Sequence, residues 1–349
     1  MKPFAPLINI LTTCLLFFGT QSLSPAAEQP FPKVPIKNGD QILFLGDSIT
    51  QAGLYAALIQ TWLWFEYSEL KLDIIDLGLN GETASGNSEI DHPYPRANVH
   101  ERIDRILKNT DPDLVFICYG MNDGIYQPFA EKRFIDYQHG IQNLLKKLRK
   151  PGRKIVLMTP PPFDLFTFRQ GHDVAPKNAP VDFLYSYKAP YQDYDQVLIK
   201  YGQWILSQTN QVDAVVDLHP ALIQLINKRR ASNPDYKFND GIHPPVEGHL
   251  EMALTILDSL GADRKLAETT LNQLTGIHRF AATEDQQQNP TDLWSTVQKR
   301  HRLLTVAWIE HIGHMKPGKA KTPSLRDAQK QAADMEVEIR QSLADIRGE

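Results

Sequence analysis

Gln41-Ile42-Leu43-Phe44-Leu45-Gly46-Asp47-Ser48 combines a short, continuously apolar run with a Gly-Asp-Ser turn. A run this short, apolar on consecutive residues rather than on alternate ones, fits a strand buried on both faces of a sheet. Glycine followed by two helix-capping residue types then reads as a strand-to-helix turn. Four further runs of the same kind follow: Leu72-Asp-Ile-Ile-Asp-Leu77, Asp113-Leu-Val-Phe-Ile-Cys-Tyr119, Lys154-Ile-Val-Leu-Met-Thr159 and Val212-Asp-Ala-Val-Val-Asp-Leu218. Between them, Ala52 to Tyr67, Ala97 to Lys108, Glu131 to Arg149 and Tyr191 to Thr209 carry apolar residues at helical spacing. Alternating strands and helices of these lengths make right-handed βαβ units. The expected fold is α/β, a three-layer αβα sandwich on a five-stranded parallel sheet of the flavodoxin-like kind.

Two stretches interrupt the pattern. Residues 160–190, after the fourth strand, hold Phe163, Phe166, Phe168, Phe183, Tyr185 and Tyr187 among several prolines. Loops of that length are uncommon in compact domains unless they act as lids or binding loops or stay disordered. Beyond Ala262 no strand pattern remains; a helical stretch carries Leu293, Val297, Leu304 and Trp308 on one face, and a charged helix starts near Pro323-Ser324. The expected organisation is a leader at residues 1–26, a catalytic domain at 34–262 and a helical C-terminal extension at 263–349.

The leader has Lys2, an apolar run from Leu7 to Phe18, and Ser24-Pro25-Ala26 with small residues at the spacing of a cleavage site. It reads as a secretory signal peptide, too short to span a bilayer, which predicts an extracytoplasmic protein, periplasmic or secreted, without stable membrane insertion. Of the two cysteines, Cys14 would leave with the leader, and Cys118 alone cannot form an internal disulfide. A formal net charge of −4 gives no basic footprint for nucleic acid.

Candidate chemistry lies at the ends of the predicted strands, where parallel α/β sheets bind ligands. Ser48 follows the first strand and opens a helix, so its hydroxyl can project from the sheet rim toward a helix N-terminus. The alternative local reading is that Asp47 or Ser48 simply caps that helix. His243 is the candidate base for Ser48, with Asp240, three residues earlier, able to orient the imidazole; taken alone, Asp-x-x-His also fits a capped helix start. Gly81 and Asn122 supply a backbone and a side-chain amide for an oxyanion, although each alone reads as a turn residue.

Four blocks in fixed order carry a resemblance: Phe44-Leu-Gly-Asp-Ser-Ile-Thr50, Leu77-Gly-Leu-Asn-Gly-Glu-Thr83, Tyr119-Gly-Met-Asn-Asp-Gly124 and Asn239-Asp-Gly-Ile-His-Pro244. The sequence from Gly39 to Leu260 resembles the GDSL esterases and lipases, also called SGNH hydrolases. The resemblance implies that Ser48 is the nucleophile, that Asp240 and His243 complete its triad, and that the Ser48 and Gly81 amides with the Asn122 side chain form the oxyanion hole. Ile49 departs from the leucine of the family name, a volume-conserving change. Asn80 stands where many relatives have serine.

The expected activity is ester hydrolysis through an acyl-enzyme, without metal or organic cofactor. Short acyl groups on carbohydrates are the preferred substrate, so the expected partner is a small-molecule or glycan ester. A lipase or lysophospholipase, and a catalytically silent glycan-binding protein on the same scaffold, are the alternatives. Tyr126, Phe129 and Phe163 are candidate pocket walls. His301, His311 and His314 at the C-terminal helix read as polar helix-end residues rather than metal ligands, since no carboxylate or cysteine stands at ligand spacing beside them.

Overall fold

The structure is a computed structural model that describes residues 31–280, 290–318 and 321–349. The expected leader lies outside these residues. Five strands, β1 (Gln41–Gly46), β2 (Asp73–Asp76), β3 (Leu114–Cys118), β4 (Lys154–Met158) and β5 (Ala214–Val216), form one sheet in the order β2-β1-β3-β4-β5. Every pairing is parallel, with Leu43 opposite Ile75 on one side and Val115 on the other. This is the α/β fold the strand pattern predicts. The chain reverses its winding direction between β1 and β3, and such a switch point opens a crevice beyond the carboxyl ends of those strands.

Continuous burial explains the continuous apolar runs. Leu43, Phe44, Leu45, Val115 and Phe116 are all fully buried, and the Phe44 and Phe116 rings stack at 4.7 Å. Two boundaries differ from the pattern for local reasons. The predicted helix from Ala97 to Lys108 divides into a single 3-10 turn, Val99–Glu101, and α3 (Ile103–Asn109), because the Arg102 backbone leaves helical geometry at φ −124° and ψ −14°. There its side chain reaches the buried carboxylate of Glu82, Nε to Oε1 at 2.6 Å. Strand β5 is shorter than its apolar run, since Asp213 and Asp217 at its ends bond the Ile155 amide and the Thr159 hydroxyl instead.

The remaining helices of the sandwich are α1 (Ser48–Gln51), α2 (Leu54–Glu66), α4 (Glu131–Leu148), α5 (Leu165–Phe168), α6 (Tyr194–Leu206), α7 (Leu218–Ser232) and α8 (Val246–Ser259). Three more follow: α9 (Arg264–Thr275), α10 (Asp292–Ile312) and α11 (Leu325–Arg347). Helix α2 is buried along nearly its whole length, Tyr55 to Trp64, because α8, α9, α10 and α11 all pack on it. A helix apolar on every side needs cover on every side. The C-terminal helices provide it, and Trp62 and Trp64 are core residues there. Helix α10 also crosses the end of β2, where its His301 Nε2 lies 3.1 Å from Oδ2 of buried Asp76.

Candidate active site

Ser48 is the first residue of α1, directly after β1. Asp47 caps the helix by accepting from the Ile49 amide at 2.9 Å, so the capping role falls to Asp47 and leaves the Ser48 hydroxyl available to another side chain. The Ser48 amide, in the first helical turn, has no intrahelical acceptor. Burial pushes the Asp47 carboxyl up to about 7, against the Ile49 hydrogen bond and the nearby imidazole.

The loop before α8 is folded on one carboxylate. Asp240 Oδ1 accepts from the Ile242 amide at 2.9 Å and the His243 amide at 2.8 Å, which leaves Oδ2 free to meet His243 Nδ1 at 2.7 Å. His243 Nε2 then stands 2.8 Å from Ser48 Oγ. The structure therefore places Ser48, His243 and Asp240 in one hydrogen-bonded chain, although 195 positions separate the first two. Gly241 makes the turn possible: its φ is +87°, and a Cβ there would lie 2.7 Å from the Asp164 carbonyl oxygen.

Gly81 sits in the turn after β2, also in a left-handed conformation at φ +76°. Asn122 sits in the turn after β3 and is buried. The two turns are tied together by Asp123, whose Oδ1 accepts from the amides of Ala84 at 2.9 Å and Ser85 at 2.7 Å. Asn122 Nδ2 spends one N–H on the Glu82 carbonyl at 3.2 Å and keeps a second for a ligand. Its Oδ1 accepts from Arg96 at 3.1 Å and from the Tyr126 hydroxyl at 3.2 Å, so the amide cannot flip without losing both.

Arg96 carries no motif, and sequence reasoning missed it. It is buried, pairs with buried Glu89 through two bonds of 2.6 and 2.7 Å, and also donates to the Gly81 carbonyl at 3.3 Å. One guanidinium thus holds the acceptor ends of both Gly81 and Asn122. The only sequence signal was an Arg and a Glu seven residues apart, which is indistinguishable from a solvated loop pair.

Ser48, Gly81, Asn122, Tyr126 and His243 line a cavity of about 270 Å³ that also takes in His92, Tyr94, Tyr187 and Lys316. Two of the three aromatic wall candidates are elsewhere. Phe163 is buried against Phe168 and Tyr194, and Phe129 packs on Phe134 under the Lys200 ammonium. Phe163 is a core residue and Phe129 a half-buried one packed against the core. The insertion that carries Phe163 divides in two. Its first part is anchored in the body: the Asp164 amide donates to the Gly241 carbonyl at 2.8 Å, and its carboxylate is held by Arg230. This braces the loop of Asp240 and His243 from outside. The later part delivers Tyr187 to the cavity. Tyr126 reaches it through two consecutive left-handed residues, Ile125 at φ 44° and Tyr126 at φ 56°, uncommon for non-glycine residues and frequent at ligand sites.

Contrary to the spacing argument, carboxylates do stand beside two of the three C-terminal histidines, Asp76 at His301 and Glu310, four positions earlier, at His314, while His311 meets Asn109. Among the described residues no three His, Cys, Asp or Glu side chains cluster as a metal site.

Burial lowers the affinity of His243 for a proton, but the hydrogen bond and charge of Asp240 more than reverse this, so its pKa lies above the usual 6.5. Asp240 is held at about 2: desolvation raises it, and the His243 hydrogen bond outweighs that. An imidazole that must accept a proton is competent only when neutral. The expected result is an acid limb in kcat/KM whose midpoint lies above 6.5, with activity lost as pH falls through it. An NMR titration of the His243 ring should give the same midpoint. A limb below 6.5 would contradict the raised His243 pKa, and a limb that disappears in Asp47→Asn while the His243 ring still titrates above 6.5 would assign it to Asp47, whose own carboxyl lies at about 7.

The sequence model of the GDSL-like lipase/acylhydrolase family matches residues 44–250. An acetylxylan esterase from Geobacillus stearothermophilus is 24% identical over 247 residues, spanning 65% of this chain and 96% of that relative. Among solved structures, a gut microbial diltiazem-metabolizing enzyme aligns with a TM-score of 0.50 at 20% identity, over 66% of this chain. The chain spans 49% of that protein's length. A structure of an acetylxylan esterase from Geobacillus stearothermophilus aligns with a TM-score of 0.47 at 20% identity, over 66% of this chain and 97% of the other. With the matched segment running from β1 through the loop of Asp240 and His243 into α8, the chain belongs to the GDSL-like lipase/acylhydrolase family and is a carboxylic ester hydrolase.

Proposed function

We propose that this serine esterase removes short acyl groups, acetyl above all, from carbohydrates. Ser48 Oγ attacks the ester carbonyl while His243 Nε2 takes its proton, and Asp240 holds the imidazole in the tautomer that accepts there. The Ser48 and Gly81 amides and Asn122 Nδ2 receive the oxyanion. The tetrahedral intermediate collapses with His243 returning the proton to the leaving alkoxide, and water then repeats the sequence on the acyl-enzyme.

The observation that carries this reading is the chain from Ser48 through His243 to Asp240, at 2.8 and 2.7 Å, opening into a cavity of about 270 Å³ with polar and aromatic walls. Walls that include His92, Tyr94, Arg96 and Tyr187 suit a sugar ring, with its hydroxyls and flat faces, better than a hydrocarbon chain. The acetylxylan esterase relative supports the same substrate class. We also propose export, supported by the leader pattern of residues 1–26; N-terminal sequencing of the mature protein should begin after Ala26.

The test is a panel of p-nitrophenyl esters of increasing chain length beside acetylated sugars. The acetate should be the best p-nitrophenyl ester, and acetate release from sugars should be detectable. A rate that rises with chain length would favour a lipase. No hydrolysis of any ester would favour a silent binding protein.

A further inference from the structure

A second and larger cavity, about 760 Å³, runs between the start of α2 and helix α10, and shares Ser48, Asn80 and His243 with the smaller one. The two therefore form one cleft through the nucleophile. Among the described residues, neither is lined by an aspartate or glutamate, in a protein whose formal net charge is −4. The lysines and arginines among those residues are Arg96, Lys299, Arg302 and Lys316.

Arg96 is neutralised by Glu89. The other three have no carboxylate within ion-pair distance among the described residues, whereas Arg300, Arg340 and Arg347 on the same pair of helices each have one. Lys299 and Arg302 are three positions apart, hence neighbours on one helical face. Lys316 is half-buried; its ammonium donates to the Asn80 carbonyl at 3.0 Å, beside Gly81, and retains donors for a ligand. Its segment is held in place by Arg105, which bonds the Ile312 carbonyl at 2.8 Å and the Gly313 carbonyl at 2.9 Å at the end of α10. The cavity beneath the insertion differs, mixing Arg169 and Lys188 with Asp173 and Asp240.

We propose that the cleft binds an acylated anionic glycan, and that the C-terminal segment supplies the cations, Lys299, Arg302 and Lys316, that hold its negative groups on either side of Ser48. This rests on the esterase reading and names its substrate class. Uncompensated cations along one cleft raise the local concentration of an anionic substrate and prefer it over a neutral one. A carboxylate or a sulfate ester on the sugar would each supply the charge. The three cations lie beyond residue 250, where the family match ends.

The test compares O-acetylated oligogalacturonate with the same oligomer after methyl esterification of its carboxyls, and an acetylated sulfated oligosaccharide with its desulfated form. The wild-type enzyme should prefer at least one charged form by about tenfold or more in kcat/KM, and the preferred pair identifies the anion. Salt at 0.5 M should shrink the preference toward one, because the cations are largely solvent-facing. In the Lys299→Gln/Arg302→Gln/Lys316→Gln protein the charged-to-neutral ratio should also approach one. A ratio near one in the wild type, or an undiminished ratio in the variant or in salt, overturns the proposal. Hydrolysis of p-nitrophenyl acetate by the wild type shows that such a failure concerns the substrate class; no hydrolysis there would overturn the esterase reading itself.

Discussion

Ser48→Ala is expected to lower ester hydrolysis by on the order of a thousandfold or more while leaving the melting temperature nearly unchanged. The change deletes one hydroxyl at the rim of the sheet, whose side-chain partner is His243 Nε2 at 2.8 Å. Asp47 continues to cap α1 through the Ile49 amide, so the turn keeps its shape. The loss falls on the chemical step, because neither the water that replaces Oγ nor the imidazole alone forms an acyl-enzyme. Treatment with an organophosphonate, followed by peptide mapping, should label the wild type on the peptide containing Ser48 and leave the variant unmodified. Label on another serine, or an active variant, would remove Ser48 from the mechanism.

Asn122→Ala should lower kcat by roughly a hundred- to a thousandfold with KM little changed, since a donor aimed at the oxyanion bonds the transition state better than the ground-state carbonyl. Its orientation makes the case. With Oδ1 held by Arg96 and Tyr126 and one N–H spent on Glu82, the free N–H shares a cavity with Ser48 and the Gly81 turn. Asn122→Asp should lose at least as much activity, because it keeps the acceptor that Arg96 and Tyr126 bind but removes the donor and sets a negative charge beside the oxyanion and the Glu82 carbonyl. An effect confined to KM, or an Asp variant as active as the wild type, would assign Asn122 to substrate binding or to the loop.

The fold was legible because short apolar runs alternate with helical periodicities, as a parallel sheet covered on both faces by helices requires. Boundaries were legible only where local residues controlled them. Arg102 ends a helical turn in order to reach Glu82, 20 residues away, and nothing in the Ala97 to Lys108 stretch signals that. At the site, Asp240 and His243 could be paired from their spacing, since one short loop carries both. Of the three aromatic residues named as pocket walls, only Tyr126 lines the cavity. Phe129 follows Asn122 on the same loop as Tyr126, and Phe163 shares the insertion with Tyr187, yet in each pair the phenylalanine packs on the core and the tyrosine faces the cavity.

Residue identity and strand-end position are properties of the chain, so the nucleophile, base and amide candidates could be named from sequence alone, together with the sheet that brings them to one rim. The contacts made across long separations belong to the tertiary structure. The Arg96–Glu89 pair fixing Asn122, the Asp164–Arg230 brace behind the catalytic loop, and Lys316 on the Asn80 carbonyl, 236 positions apart, are of this kind. The physical reason is that an exposed and a buried charge are written with the same letter. Only packing decides which arginine loses its water and must find a carboxylate, and which is left facing a cleft.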